Sequence, residues 1–132
     1  MARMKETKLD KVVLDSAFKV HTAVGPGLLE SVYETLLAYE LSTHGIEVQR
    51  QVPIPIRYRG LCFEEGFRAD LVVPGELLVE LKAIERLMPV HARQVLTQLR
   101  MSGHGLGLLI NFGAEHLKDG VQRIVNSRIF PL

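Results

Sequence analysis

Apolar residues recur at helical spacing from Leu9 to about Thr22, at Leu9, Val12, Val13, Ala17 and Val20. The run predicts an amphipathic helix that the Gly25-Pro26-Gly27 breaker ends. A second helix is predicted over Leu28 to Thr43, with Gly45 just past its end as the stop. Val48 to Tyr58 then sets Pro53 and Pro55 among apolar and β-branched residues. Proline cannot donate to a ladder, so this segment reads as an edge strand, followed by a turn at Arg59-Gly60. Phe67 to Val73 and Leu77 to Ile84 read as two strands of a hairpin around Pro74-Gly75-Glu76.

Between Val90 and Met101 the stripe Ala92, Val95, Leu96 and Leu99 predicts a third helix, closed by Gly103 to Gly105. The unbroken apolar run Leu106 to Phe112 fits a strand buried on both faces. Leu117 to Val125 is ambiguous between helix and strand. The core order is helix, three strands, helix, strand, with an extra helix in front. That order makes an α/β domain with a central sheet flanked by helices. Its 132 residues, 47% of them hydrophobic, fit a single domain over 1–132 with its core at about 9–126.

Alternation within Leu77 to Ile84 puts Val79, Leu81 and Ala83 on one face and Leu78, Glu80, Lys82 and Ile84 on the other. Charges in a strand usually mark a solvated face. Here Leu78 and Ile84 flank them on the same face, so both faces look covered. A buried carboxylate and ammonium are costly unless paired or metal-bound. With Val73 facing Leu77, counting outward sets Asp70 opposite Glu80. Like charges at that range destabilise a ladder, and a hard divalent cation such as Mg²⁺ removes the conflict. Lys82, two residues on, is placed to orient an attacking water or to stabilise charge on a phosphate. A plain ion pair with either carboxylate is the simpler role.

Asp70 followed by Glu80-Leu81-Lys82 resembles the D-(x)n-(D/E)xK signature of the PD-(D/E)XK nucleases. Gly27-Leu-Leu-Glu30-Ser-Val-Tyr33 is similar to the motif that names the GxxExxY family within that superfamily. Phe67 to Leu71, Glu80 to Ala83 and Leu108 to Gly113 resemble further segments of the same family, and the likeness spans about Leu9 to Asn126. It implies a restriction-endonuclease-like core with a mixed sheet. By the RecB-type arrangement it also implies that Glu30 joins Asp70, Glu80 and Lys82 in the catalytic set. The metal, Mg²⁺ or Mn²⁺, would be held by Glu30, Asp70, Glu80 and the Leu81 backbone carbonyl. Glu30 alone would read as a carboxylate complementing the helix dipole. Tyr33 would pack under the site or orient Glu30 through its hydroxyl. In the later helix His91, Gln94 and Gln98 fall on one row. Gln94 matches the Gln of a QxxxY motif, while Gln98 stands where that motif has Tyr.

Composition adds limits. The net charge of +1 does not mark a chain that holds nucleic acid by bulk charge alone. Five histidines without zinc-ligand spacing and one cysteine, Cys62, argue against a zinc site. The lone cysteine, a polar Met1 to Asp10 and short apolar runs point to a reducing cytoplasm and away from a membrane. The expected function is a metal-dependent nuclease acting on phosphodiester bonds, with DNA favoured over RNA. The alternative is a catalytically silent module binding nucleic acid or protein, and a homo-oligomer stays open.

Overall fold

The computed structural model describes residues 8–127. Helical spacing produces α1, Lys8–Val24, and α2, Glu30–Thr43. The second starts two residues later than predicted, because Gly27 takes φ 112° and the Leu28 N–H is held by the Tyr33 hydroxyl at 3.1 Å. The strands are β1 Gln49–Tyr58, β2 Leu61–Val73, β3 Leu77–Lys82, β4 Leu106–Asn111 and β5 Val121–Val125. Helix α3, Pro89–Ser102, links β3 to β4. The sheet order is β1-β2-β3-β4-β5. Among the described strands only β3 and β4 run parallel, so the sheet is mixed. The proline-bearing strand β1 is at the edge, as its sequence requires.

Three further places depart from the sequence reading. Strand β2 begins at Leu61 instead of Phe67, because its exposed first half pairs with the outer half of β1 down to Tyr58–Leu61. Glu64, Glu65 and Gly66 carry no buried alternation there, so periodicity could not show it. Strand β3 stops at Lys82, and at Ile84 the Asn111 side chain takes over the pairing. The ambiguous tail is both things in turn: a 3₁₀ turn, Leu117–Gly120, and then β5.

The two sheet faces carry separate cores. Val13, Ala17 and Val20 of α1 and Tyr33, Leu37 and Leu41 of α2 pack on Leu71, Val79, Leu81 and Ile110. On the other face, Val95 and Leu99 of α3 cover Leu78, Val72 and Leu109. Central strands sandwiched this way are covered on both faces, which explains the continuous apolar run of β4, buried from Gly107 to Asn111. Each large side chain so covered contributes about 1.5–3 kcal/mol. A charge on these strands is therefore out of place unless something compensates it.

Candidate active site

Strand β2 leaves β3 at Asp70. The ladder pairs Val73 with Leu77, Val72 with Leu78 and Leu71 with Val79, the register that a Pro74-Gly75-Glu76 turn sets. One step further Asp70 would pair with Glu80, but the ladder has ended. Asp70 Oδ2 instead accepts the Leu81 N–H at 2.7 Å. A carboxylate thus replaces a ladder carbonyl with a stronger, charge-assisted bond. Inside–outside alternation also breaks here. Ala69 packs in the α3-side core while Leu71 packs in the other. Strand β1 turns over at the matching place: Val48 faces the α1/α2 core, Val52 faces the α3 core, and Gln51 between them has φ 52°.

Glu80 and Lys82 share the face of β3 that Leu78 turns toward α3, as alternation predicts. Their side chains are 13% and 22% exposed, and Lys82 Nζ lies 3.5 Å from Glu80 Oε2. The other Glu80 oxygen, Oε1, is buried without a hydrogen-bond partner, as is Oε1 of Gln98. Burial, and then the Asp70 charge, push the Glu80 carboxyl up to about 7, against the pull of Lys82 and of the Gln98 amide. Asp70 is raised as well, chiefly by burial, although the Leu81 and Gln51 hydrogen bonds oppose the shift. Glu30 is raised by partial burial and by the Asp70 charge. Three carboxyls, all raised first by burial and two of them further by the Asp70 charge, describe a site short of positive charge.

The other predicted residues divide. Glu30, in the first turn of α2, is exposed, and it is tied to Asp70, Lys82 and Glu34 by charge alone. Tyr33 does not orient Glu30 through its hydroxyl. Its buried ring stacks on Phe112 at 4.6 Å, and its hydroxyl donates to the Gly25 carbonyl at 2.5 Å. It fixes the loop that delivers Glu30. Gln98 is buried beside Glu80, whereas Gln94 is exposed. His91 is drawn to the start of α3, where its Nδ1 accepts the Met88 N–H at 2.9 Å. Leu81 is buried, pairs with Ile110 in β4, and meets Asp70 through its N–H.

Sequence reasoning missed three residues, Glu34, Gln51 and Asn111. Glu34 is buried, ion-paired with Arg50 at 2.9 Å, and receives the Gln51 amide at 2.6 Å. The same amide reaches Asp70 Oδ1 at 3.1 Å. Glu34 stands four residues after Glu30 on one helical row, a spacing that could have marked it. The left-handed turn that aims Gln51 has no counterpart in strand periodicity. Asn111 is 1% exposed. Its amide donates to the Ile84 carbonyl at 2.9 Å, and its oxygen accepts the Ile84 N–H at 3.0 Å. A side chain here stands in for a strand, and so fixes the chain just beyond Lys82.

Among the described residues no three His, Cys, Asp or Glu side chains are gathered closely enough to hold a metal ion. The donor chemistry suits a hard cation all the same. Asp70 and Glu80 supply anionic oxygens with raised pKa values, and Glu80 Oε1 lacks any proton donor. Searches of curated proteins and of solved structures returned no match. Among protein-family models, the PD-(D/E)XK nuclease superfamily matches residues 7–124. Its nucleases generally use divalent metals, and the mixed five-stranded sheet with three helices is consistent with their restriction-endonuclease-like fold. With a match over nearly its whole length, the chain belongs to the PD-(D/E)XK nuclease superfamily.

Proposed function

We propose that this protein is a Mg²⁺- or Mn²⁺-dependent nuclease of GxxExxY type that hydrolyses phosphodiester bonds, with DNA favoured as substrate. It would act in a reducing cytoplasm, where Cys62 stays a thiol. The observation that carries the reading is Glu80 Oε1, buried without a hydrogen-bond partner in the same corner as Asp70 and Lys82. A folded protein rarely leaves such an oxygen unsatisfied unless water, an ion or a ligand completes it, and here it sits among carboxyls suited to a cation.

Asp70 and Glu80 would hold the ion, joined by Glu30 and the Leu81 carbonyl. When bound, it would supply Lewis acidity toward a phosphate and lower the pKa of a bound water. Lys82 keeps a cation beside Glu80 in a half-buried position, where it can orient a water and offset negative charge growing on the phosphate. The Leu81 N–H and the Gln51 amide both donate to the Asp70 carboxylate. Gln98 presents an amide next to Glu80 in the position that QxxxY nucleases give to tyrosine.

The test incubates purified protein with labelled single- and double-stranded DNA and RNA, with Mg²⁺, Mn²⁺ or chelator. Metal-dependent products that Asp70→Ala fails to make support the nuclease. Retained nucleic-acid binding with no cleavage in any metal would replace it with the catalytically silent module.

A further inference from the structure

Gln51 has three unusual properties at once. Its backbone is left-handed, with φ 52°, a region that residues other than glycine, Asn and Asp seldom occupy and that costs about 1–3 kcal/mol. Its carbonyl is latched by Arg68 Nη1 at 3.1 Å, and Arg68 is itself held by two bonds to Glu65. Its amide nitrogen then reaches two carboxylates on different elements, Glu34 Oε1 of α2 at 2.6 Å and Asp70 Oδ1 of β2 at 3.1 Å. Of the two ends of this amide only the NH₂ has hydrogens for two anionic oxygens; the reverse orientation would set a carbonyl oxygen against both. The side chain reaches this position because the backbone turns over there. Arg50 faces Leu71 and Val52 faces Ala69, so Gln51 lies across from Asp70 where both strands exchange faces.

We infer that Gln51 is a positioning residue, whose amide, braced on Glu34, fixes the Asp70 side chain in the orientation that also captures the Leu81 N–H. Arg50 meets Glu34 from its other oxygen at 2.9 Å, so the brace is anchored on α2 and the strain in β1 is spent on aiming one side chain. The effect on metal binding rests on the nuclease reading above. The orientation of Asp70 does not.

The experiment uses Gln51→Gly in the full chain. Glycine accepts positive φ without strain, so this change removes the amide and relaxes the backbone together. Gln51→Asn tolerates the same φ but is one methylene short of the bridge, and serves as a second variant should the first fold poorly. Amide hydrogen exchange is read at Leu81 in the metal-free protein and compared with Leu78 and Val79 of the same strand. The expected result is a thermal midpoint equal to or above wild type, with Leu81 alone exchanging about tenfold faster or more. Mn²⁺ titrated by calorimetry should then bind about 10–100-fold more weakly, as for other residues that orient a metal ligand. Unchanged Leu81 exchange in both variants overturns the inference, whatever the metal does. Accelerated Leu81 exchange in a protein that binds no Mn²⁺ even as wild type would uphold Gln51 and remove the metal reading instead.

Discussion

An ordinary glutamate titrates near 4.5, and burial together with Asp70 raises Glu80 to about 7. Between those values the folded protein keeps a proton that the unfolded chain gives up. Glu80 therefore favours folding fully below about pH 4.5, and that contribution is lost as pH rises through 7. The shift corresponds to a cost on the order of 3 kcal/mol once the carboxylate is ionised. Without metal, Glu80→Gln is expected to unfold at higher denaturant than wild type at pH 8, by about 1–3 kcal/mol. The gap should close by pH 4 in parallel urea titrations. The same substitution should abolish metal-dependent cleavage, which would separate what the residue does for the fold from what it does for chemistry. Lys82→Ala is expected to keep metal binding and lose cleavage by about 10²-fold or more. Lys82→Arg should rescue it poorly, since a planar guanidinium does not replace a compact ammonium in a confined space. A cleavage rate and a metal titration on the three proteins decide this, and wild-type cleavage by Lys82→Ala would reduce Lys82 to an ion-pair partner.

At the level of elements, the strand that carries Glu80 and Lys82 is held by a substitute for a neighbour. Beyond Lys82 the parallel pairing with β4 ends, and the Asn111 amide bonds both backbone groups of Ile84 while its oxygen also accepts the Gly113 N–H at 3.0 Å. Asn111→Ala removes all three bonds and leaves Ile84 unpaired, at an expected cost of about 2–4 kcal/mol. Urea denaturation measures it; a loss under about 1 kcal/mol, the worth of one ordinary hydrogen bond, would mean the clip is dispensable. Gly113 completes the arrangement, since a Cβ there would sit 2.2 Å from the Ile84 carbonyl oxygen. Most elements were legible because burial dictates period. The α3 stripe, the proline-marked β1 and the turn at Pro74-Gly75-Glu76 all follow from local rules. The face of Glu80 and Lys82 followed from alternation, whereas the counted Asp70–Glu80 pair does not form, because the ladder ends at Leu71 and Asp70 takes the Leu81 N–H instead. Glu34, Gln51 and Asn111 escaped because their roles depend on contacts between elements far apart in the chain. Gln51 further depends on a backbone turn that breaks the alternation sequence reading relies on.

For the whole molecule, the raised carboxyls would make stability and the proposed metal binding two views of one balance. Asp70, Glu80 and Glu30 all resist ionising, so the metal-free protein should lose stability from pH 5 toward pH 8. Mn²⁺ should restore it by mass action, with a larger rise in thermal midpoint at pH 8 than at pH 6. At 100 times the dissociation constant the gain is about 2.7 kcal/mol. The Asp70→Asn, Glu80→Gln double variant should show no metal-dependent rise in differential scanning calorimetry, and an equal rise in both proteins would place the ion elsewhere. The two prolines of β1 reach further than strand order. Spaced two apart, Pro53 and Pro55 set their nitrogens on the same side of an edge strand. That side offers an incoming chain two fewer donors, which blunts it against runaway sheet growth. The opposite margin, β5, has the sequence Val121-Gln-Arg-Ile-Val125 and no proline. Any fibre or paired sheet that two copies build by continuing the ladder should therefore nucleate along β5, and a proline placed at Arg123 would close the remaining open seam.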